Sequence, residues 1–249
     1  MKTILLSFLL TVQAAPAAAA APTAAGCVYD LNGPVTVRKA GAQDWGPASK
    51  GLPLAEGDRL RTGANSWCEL LFKDGTYVKL EADSETAAEE LKSDAAGRSF
   101  SFSFLKGKAL WMAARLKWKA ASRFSVRTPS AVCAVRGTDF TVIVSTSGET
   151  SVGLFEGKVA VSSGTADTGG KELLAGGEAS VGGGQVAVQR RLSALMKAEQ
   201  RRYERVKGRV EQLRRRLAER ETFIDEYVSR QQKTLSDFEK RRKEKLGKH

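Results

Sequence analysis

The sequence predicts an all-β domain followed by a long C-terminal α-helix. Between about residues 28 and 188, short runs of β-branched, aliphatic and aromatic residues alternate with turn residues, as in a β-sandwich or roll. All six prolines lie at or before Pro129, and glycine is frequent up to Gly184 but scarce beyond it. From Leu192 onward, apolar residues recur every three or four positions, which is the spacing of one helix face. These observations divide the 249-residue chain near residue 188.

Two pairs of β-like runs are separated by residues that favour tight turns. Asp74 and Gly75 lie between the runs of the first pair, and Glu156 and Gly157 lie between those of the second. Glycine adopts the positive φ angles that such turns require. The sequence therefore predicts a β-hairpin at each position.

Two neighbouring segments carry different signals. Phe100, Phe102 and Phe104 alternate with serine, which predicts a strand whose aromatic face packs inward. The preceding segment, 81–97, is polar and rich in alanine, so we expect a loop or a short surface helix there. Its acidic residues are expected to be solvated rather than catalytic.

The C-terminal part, 189–249, is expected to form a basic amphipathic helix or coiled coil. The positions of its stripe are Leu192, Met196, Glu199, Tyr203, Val206, Val210, Leu213, Leu217, Arg220, Ile224 and Tyr227. Beyond Ile224 the stripe continues one position later, through Val228, Gln231, Leu235 and Phe238. A helix of about 55 residues would be roughly 80 Å long. It has to fold back, form a homodimer through 192–238, or lie on a partner to bury this stripe.

The positive charge of the chain belongs to this C-terminal part. From Gln189 onward, 20 Lys and Arg face 10 Asp and Glu, which is +10 of the formal net charge of +12. Three roles are open for these cations: a solvated, salt-bridged coiled coil, binding to an anionic envelope component, and binding to nucleic acid. Nucleic acid is disfavoured, because an exported protein meets little of it.

The N-terminus has the organisation of a secretory signal peptide, which we place at 1–25. Lys2 precedes an apolar run, Ile4 to Val12, and an alanine-rich tract follows. We therefore expect a periplasmic or other extracytoplasmic location, with an uncleaved membrane anchor as the alternative. Only three residues precede the apolar run, so we expect no cytoplasmic effector segment.

The three cysteines leave two questions open. Cys27 follows Ala24-Ala25-Gly26, which resembles the end of a lipobox, so Cys27 is a candidate site for lipidation and a membrane tether. Cys68 and Cys133 lie in strand-like runs, where they could form a disulfide or remain as buried free thiols.

The sequence offers little catalytic chemistry. The only histidine is His249, no Cys/His cluster has zinc spacing, and Gly182-Gly183-Gly184 lacks the lysine of a phosphate-binding loop. We therefore expect no enzyme activity, no catalytic residues, no cofactor and no metal. The four tryptophans could line a sugar or peptide groove, although core packing is the preferred interpretation. They are Trp45, Trp67, Trp111 and Trp118.

The β half resembles the FecR domain along nearly its whole length. The resemblance is carried by pieces in a fixed order, of which residues 128–140, TPSAVCAVRGTDF, are the most specific. The residues that mark the motif are Gly57, Asp58, Asp74, Gly75, Arg136, Gly137, Thr138 and Gly157. Arg136 has two interpretations: an anion-binding residue, or a structural arginine that bonds strand-end carbonyls or the carboxylates of Asp139 or Glu156.

The resemblance implies an extracytoplasmic β-rich domain without catalytic residues. Members of the family relay signals from outer-membrane iron transporters to an anti-sigma or sigma factor. Our first hypothesis is an exported, non-enzymatic envelope protein whose domain at 28–188 binds an envelope protein or the cell wall, with 189–249 as an oligomerisation or docking arm. The alternative is a FecR-type transmembrane signalling regulator in a sigma/anti-sigma relay.

Overall fold

The computed structural model describes residues 24–93, 97–115, 121–164 and 170–246, which form seventeen strands and two helices. The strands are β1 (Gly26–Asn32), β2 (Val35–Arg38), β3 (Gly46–Pro47), β4 (Pro53–Leu54), β5 (Arg59–Thr62), β6 (Trp67–Phe72), β7 (Tyr77–Leu80), β8 (Glu85–Ser93), β9 (Gly97–Met112), β10 (Ala121–Arg127), β11 (Ala131–Val135), β12 (Asp139–Val144), β13 (Thr150–Glu156), β14 (Lys158–Ser163), β15 (Lys171–Leu174), β16 (Glu178–Gly182) and β17 (Gln185–Gln189). The helices are α1 (Ala194–Glu219) and α2 (Phe223–Leu246). The predicted order, a β domain and then a helical region, is confirmed.

The strands form two layers that share the long strand β9. One layer has the order β4-β1-β6-β7-β9-β12-β13-β16-β17 and uses residues 107–112 of β9. The other has the order β3-β2-β5-β8-β9-β10-β11-β14-β15 and uses residues 97–106. All of these pairings are antiparallel except that of β9 with β10. We call the first layer the helix-covered sheet and the second the open sheet.

An aromatic cluster fills the space between the two sheets. Phe102 contacts Trp111 and Phe124 with ring centroids 5.2 Å and 5.7 Å apart, and Phe72 lies 5.3 Å from Phe100. The predicted inward aromatic face of β9 is confirmed, because Phe100, Phe102 and Phe104 are all buried.

The tryptophans do not share one environment. Trp111 is fully buried in the aromatic cluster, as core packing predicts. Trp45 lies beneath the guanidinium of Arg61, 4.0 Å from the ring centroid, and Trp67 lies beneath the ammonium of Lys79. Trp118 is outside the described residues.

The segment 81–97 contains a strand, so the prediction of a loop or surface helix is wrong. Strand β8 pairs with both β5 and β9 in the open sheet. Ala87 and Ala88 are buried, and Ala88 lies opposite Phe102. The alanine and glutamate of this segment favour a helix locally, but two neighbouring strands supply its backbone hydrogen bonds and thereby override that preference.

Only one of the two predicted hairpins forms. Strands β6 and β7 pair around the turn at Asp74 and Gly75, with Leu71 opposite Tyr77. Strands β13 and β14 do not pair, because β13 belongs to the helix-covered sheet and β14 to the open sheet. Glu156 and Gly157 therefore form a corner between sheets, which local sequence does not distinguish from a hairpin turn.

Helix α1 lies on the outer face of the helix-covered sheet. It begins after Ser193, whose hydroxyl caps the N–H of Met196, and its stripe residues Met196, Tyr203, Val210 and Leu213 are buried. Met196, Tyr203 and Val210 pack against the apolar side chains that β7, β9 and β13 point outward, and Leu213 packs beside Cys27 and Leu71. The first part of the stripe is thus covered by the β domain of the same chain. That part therefore does not form the homodimer interface predicted for 192–238.

The helical region is two helices rather than one. Helix α1 ends at Glu219, and α2 begins at Phe223 after a three-residue turn. The one-position shift of the stripe near Ile224 accompanies this break. Ile224 is buried beside Cys27 and Leu71, whereas every residue from 232 to 246 is exposed. Within the described residues, neither helix is long and apolar enough to cross a membrane.

All three cysteines are buried free thiols. Of the two alternatives for Cys68 and Cys133, the structure has the buried free thiols and not the disulfide. Cys68 lies in β6 of the helix-covered sheet, whereas Cys133 lies in β11 of the open sheet, so each thiol packs among different strands.

The thiol of Cys27 is covered by both helices, next to Leu213 and Ile224. A lipid on this sulfur would have to displace the helices from β1, so the packing disfavours Cys27 as an anchor. The predicted signal peptide at 1–25 lies almost wholly outside the described residues.

Candidate functional site: the seam beneath α1

Two corners of the chain meet at one end of the sandwich. Arg136 to Thr138 lead from β11 in the open sheet to β12 in the helix-covered sheet, and Gly157 leads back from β13 to β14. Asp139 pairs with Glu156 where the two corners touch. Residues 136–139 of the FecR-like motif are therefore the connection by which the chain passes from one sheet to the other.

Close packing explains the glycines at these corners. Gly137 and Gly157 have φ angles of 62° and 86°, which side chains other than glycine rarely adopt. A Cβ atom at Gly157 would lie 2.5 Å from the Cγ2 atom of Thr138, and Thr138 is fully buried. These residues hold the fold at the corner.

Arg136 is exposed and makes neither of its predicted contacts with Asp139 or Glu156. That structural role belongs to Arg115, which the sequence analysis did not single out. The Nε atom of Arg115 donates to the carbonyl of Gly137 at 3.1 Å, and its Nη2 atom donates to Glu156 at 2.9 Å. Arg115 comes from the end of β9, so only the tertiary structure brings it to the corner.

The hairpin at Asp74 and Gly75 joins the same end of the helix-covered sheet. Asp74 accepts a hydrogen bond from the backbone N–H of Thr76 at 2.9 Å and pairs with the buried guanidinium of Arg98 at 2.5 Å. The carbonyl of Gly75 accepts from the Nε atom of Arg214 at 3.0 Å. This turn is thus tied to the core on one side and to α1 on the other.

Gly57 and Asp58 lie elsewhere. Asp58 is 1% exposed and accepts hydrogen bonds from the backbone N–H groups of Ala40 and Ala55, and it also pairs with Lys39. Gly57 has a φ angle of 86° and belongs to the same turn. This pair organises the entry to β5, so the eight motif residues do not form one site.

Helix α1 is fastened to these corners by charged groups. Arg209 binds the carboxylate of Glu69 through two hydrogen bonds of 2.8 Å and 2.5 Å, and Glu69 is 1% exposed. The same guanidinium donates to the hydroxyl of Tyr77 at 3.2 Å. A bidentate arginine fixes orientation as well as proximity, so this contact specifies how α1 lies on the sheet.

A second group of contacts surrounds Tyr203. Its ring stacks on Phe155 with centroids 5.1 Å apart, and its hydroxyl donates to Asp139 at 3.1 Å. Burial raises the pKa of Asp139 above its ordinary value. Burial acts in the same direction on Glu156, but hydrogen bonds, first among them that from Lys207, outweigh it and lower the pKa of Glu156.

We call these contacts between α1 and the corner end of the helix-covered sheet the seam. It lines a half-open cavity of about 360 Å³, and the charged groups around this cavity are Lys73, Asp74, Arg115, Asp139, Glu156, Lys207, Glu211 and Arg214. Among the described residues, no His, Cys, Asp and Glu side chains are grouped as metal ligands. Glu156 binds Arg115 and, from α1, Lys207, and Arg214 of α1 donates to the carbonyls of Gly75 and Met112, which suits holding a helix.

The thiols do not supply a nucleophile in the described part of the chain. Burial raises the pKa of Cys27 to about 12 and the pKa of Cys133 to about 12. Cys68 shifts in the same direction. Thiols with raised pKa values remain protonated near neutral pH and are chemically inert.

Residues 58–160 match the family model of the FecR protein. The predicted resemblance to the FecR domain is confirmed over these residues. The match extends from Asp58 into β14, and it includes Asp74, Gly75 and both corners. Helices α1 and α2 lie beyond the matched residues, so the seam joins the FecR domain to a part of the chain outside it.

Solved structures similar to this chain include two crystal structures of a candidate anti-sigma factor from Parabacteroides distasonis ATCC 8503. They are 22% and 23% identical to this chain, with TM-scores of 0.44 and 0.43. Each similarity covers 53% of this chain, and the chain spans 59% of the length of those proteins. No curated protein matches the sequence.

Proposed function

We propose that the protein is a FecR-type signalling regulator that acts by binding another protein rather than by catalysis. The observation that carries this proposal is the FecR family match at residues 58–160. Regulators of this family transmit signals through protein contacts, and anti-sigma factors are one class of such proteins. A sigma or anti-sigma factor is therefore the partner class that we put forward.

The chemistry of the seam supports a binding role. Its acidic groups Glu69, Asp139 and Glu156 each contact an arginine, a lysine or a tyrosine of α1. Groups engaged in this way stabilise a docked helix, whereas general acids and bases need access to a substrate. The described thiols are buried, and the only histidine in the sequence is His249.

The open sheet provides the surface on which a protein partner would bind. Ser101, Ser125, Ala134 and Ala160 lie side by side across β9, β10, β11 and β14, and they point away from the aromatic cluster. Ser101 and Ser125 share a hydrogen bond between hydroxyls at 3.2 Å. These four small side chains leave this part of the face flat, so a partner could approach the sheet closely there.

Transcript profiling of a gene-deletion strain tests the proposal. We expect a defined set of transcripts to change and to return to normal when the wild-type chain is restored. The double variant Ser125→Arg/Ala160→Arg should fail to restore them, because two long cations would block the open sheet. The matched control Arg201→Ala/Arg205→Ala, on the exposed face of α1, should restore them. An unchanged transcriptome after deletion would contradict the regulator.

A second candidate function is an exported envelope protein that binds an envelope component without any sigma relay. Lys2 and the apolar run from Ile4 to Val12 favour it, because they have the organisation of a signal peptide. Mass spectrometry of the mature N-terminus distinguishes the two. Loss of residues 1–25 supports the exported protein, whereas an intact N-terminus in the membrane fraction supports the transmembrane regulator. The same spectrum reports whether Cys27 carries lipid.

A further inference from the structure

The second half of α2 exposes large apolar side chains. The exposed fractions of Leu235, Phe238 and Leu246 are 39%, 63% and 68%. At helical spacing these three residues lie on one face, with Arg242 between the last two. Exposed apolar side chains on one helix face mark a surface that another body covers.

The charges around this stripe are arranged unevenly. Residues 232–246 contain six Lys and Arg against three Asp and Glu, so their net charge is +3. Lys243 and Lys245 border the apolar stripe on its two sides, Glu239 lies between the stripe and Lys243, and Asp237 and Glu244 lie on the opposite face of the helix. The apolar face is therefore flanked mainly by cations, and two of the three acidic groups point away from it.

The first half of α2 holds this segment in a fixed place. The hydroxyl of Tyr227 donates to the backbone carbonyl of Tyr29 at 2.5 Å, and Lys73 pairs with Asp225 at 2.8 Å. Val228 packs beside the buried Ile224. The helix is thus anchored on the β domain at one end and presents residues 232–246 at the other.

We propose that residues 232–246 dock on the surface of an anionic lipid bilayer. Leu235, Phe238 and Leu246 would enter the boundary between headgroups and acyl chains, and Lys243 and Lys245 would contact lipid phosphates. Arg242 can extend its guanidinium from the apolar face to the headgroups while its methylene groups stay in the apolar layer. This site goes beyond the proposed function and does not depend on it.

Two other occupants fit the segment less well. A coiled coil with a second copy would place two polar residues in its seam, Gln231 before Leu235 and Arg242 between Phe238 and Leu246. Nucleic acid would engage the cations through its phosphates but would leave Phe238 and Leu246 in water. An anionic bilayer is the occupant that receives both the apolar and the basic groups.

Vesicle flotation with the purified full-length chain tests the proposal. We expect the chain to float with vesicles that contain phosphatidylglycerol and not with pure phosphatidylcholine vesicles. Raising the salt concentration should weaken binding, because the interaction with the charged surface is screened. No flotation, or equal flotation with both vesicle types, would overturn the proposal.

Two variants locate the site. Arg242→Gln/Lys243→Gln/Lys245→Gln should weaken binding on the order of a hundredfold, at about 1 kcal/mol for each cation. Leu235→Ser/Phe238→Ser should weaken it at least about tenfold, because it removes the apolar contacts. All of these residues are exposed, so circular dichroism should show an unchanged fold.

The matched control removes the same number of cations from α1. Lys197→Gln/Arg201→Gln/Arg205→Gln alters exposed residues and should change vesicle binding less than about threefold. An equal loss in the control would overturn the assignment to 232–246. So would a dimer in sedimentation that dissociates on Phe238→Ser, or duplex DNA binding that exceeds vesicle binding. Vesicle binding is measured without any transcriptional readout, so this proposal can fail while the regulator function stands.

Discussion

The two outer faces of the sandwich differ in the residues that their strands point outward. The helix-covered sheet presents Tyr77, Leu110, Met112 and Phe155, which α1 buries. The open sheet presents mainly serine, alanine and charged residues, and no helix among the described residues lies on it. Burying apolar surface stabilises by about 25 cal/mol per Å², so only the first face gains by receiving α1.

Strand β9 contains both patterns within sixteen residues. In its first part, Ser99, Ser101 and Ser103 face outward from the open sheet, whereas in its last part Leu110 and Met112 face α1. The inward residues Phe100, Phe102, Phe104, Ala109 and Trp111 are all buried and apolar. Within this one strand, the part with apolar outward residues is covered by α1 and the part with serines is not. The outward residues therefore decide which sheet receives the helix.

The largest expected effect tests the covered face. Tyr203→Ala removes a buried ring that stacks on Phe155 and a hydrogen bond to Asp139, so we expect a loss of about 3 kcal/mol in the free energy of unfolding. Urea titration followed by circular dichroism measures it. Ser125→Ala on the open sheet is the control and should stay within about 0.5 kcal/mol. Equal losses would contradict the comparison.

The next effect concerns charge pairs. Arg209→Met leaves the buried carboxylate of Glu69 with Lys79 at 3.9 Å as its remaining cation, so we expect a loss of about 2 kcal/mol. Adding Glu69→Gln to this variant should recover part of that loss. On the open sheet, the exposed pair Lys158 and Glu172 should contribute less than about 0.5 kcal/mol. Chemical denaturation of the wild type, Arg209→Met, Glu69→Gln and the double variant measures the coupling, and additive losses at 69 and 209 would refute it.

A smaller difference is expected at the corner between the two sheets. Gly157 and Gly176 have similar φ angles of 86° and 82°, so alanine meets the same backbone strain at both positions. Only at Gly157 would the new Cβ meet Thr138, whereas nothing lies within 4 Å at Gly176. Gly157→Ala should therefore cost roughly 1 kcal/mol more than Gly176→Ala in thermal or urea unfolding. Equal costs would show that the corner can relax.

The smallest expected effect is on pH dependence. Folding raises the pKa of Asp139. The contribution of Asp139 to the free energy of unfolding is therefore present below the unfolded pKa and is lost as pH rises through the folded pKa. Asp139→Asn lacks this loss, and its stability relative to the wild type should increase as pH rises from about 4 towards 7.

Glu156 provides the control of opposite sign. Folding lowers the pKa of Glu156. The contribution of Glu156 to the free energy of unfolding is therefore present above the unfolded pKa and is lost as pH falls through the folded pKa. Glu156→Gln should therefore be less stable than the wild type near neutral pH, and the deficit should shrink in acid. Urea titrations at several pH values measure the free energy of unfolding of both variants and of the wild type. If the difference between variant and wild type does not change with pH, the pKa shifts of Asp139 and Glu156 are ruled out.

Much of the architecture could be predicted from local pattern. The alternation of Phe100, Phe102 and Phe104 with serine identifies an inward face, because side chains alternate across a strand. The stripe of α1 identifies its buried residues Met196, Tyr203 and Val210. Segment 81–97 could not be predicted in this way, because β5 and β9 impose its strand conformation against its own composition.

The candidate site was predicted less completely. The motif residues Gly137, Thr138 and Gly157 were found, but Arg115 and Glu69 were missed. No spacing rule connects Glu69 with Arg209, which is 140 positions away. A buried carboxylate and its arginine become partners only when the helix lies on the sheet.

The sequence by itself determined the β domain, the position of the helical region, the FecR resemblance and the concentration of positive charge after residue 188. These features depend on local periodicity and composition, which can be read along the chain. The tertiary structure alone decided that Glu156 and Gly157 form a corner, that α1 covers its own sheet, and that the three thiols remain apart. Those outcomes depend on which distant surfaces meet, because apolar faces and buried charges are stabilised only by the particular neighbours that the fold supplies.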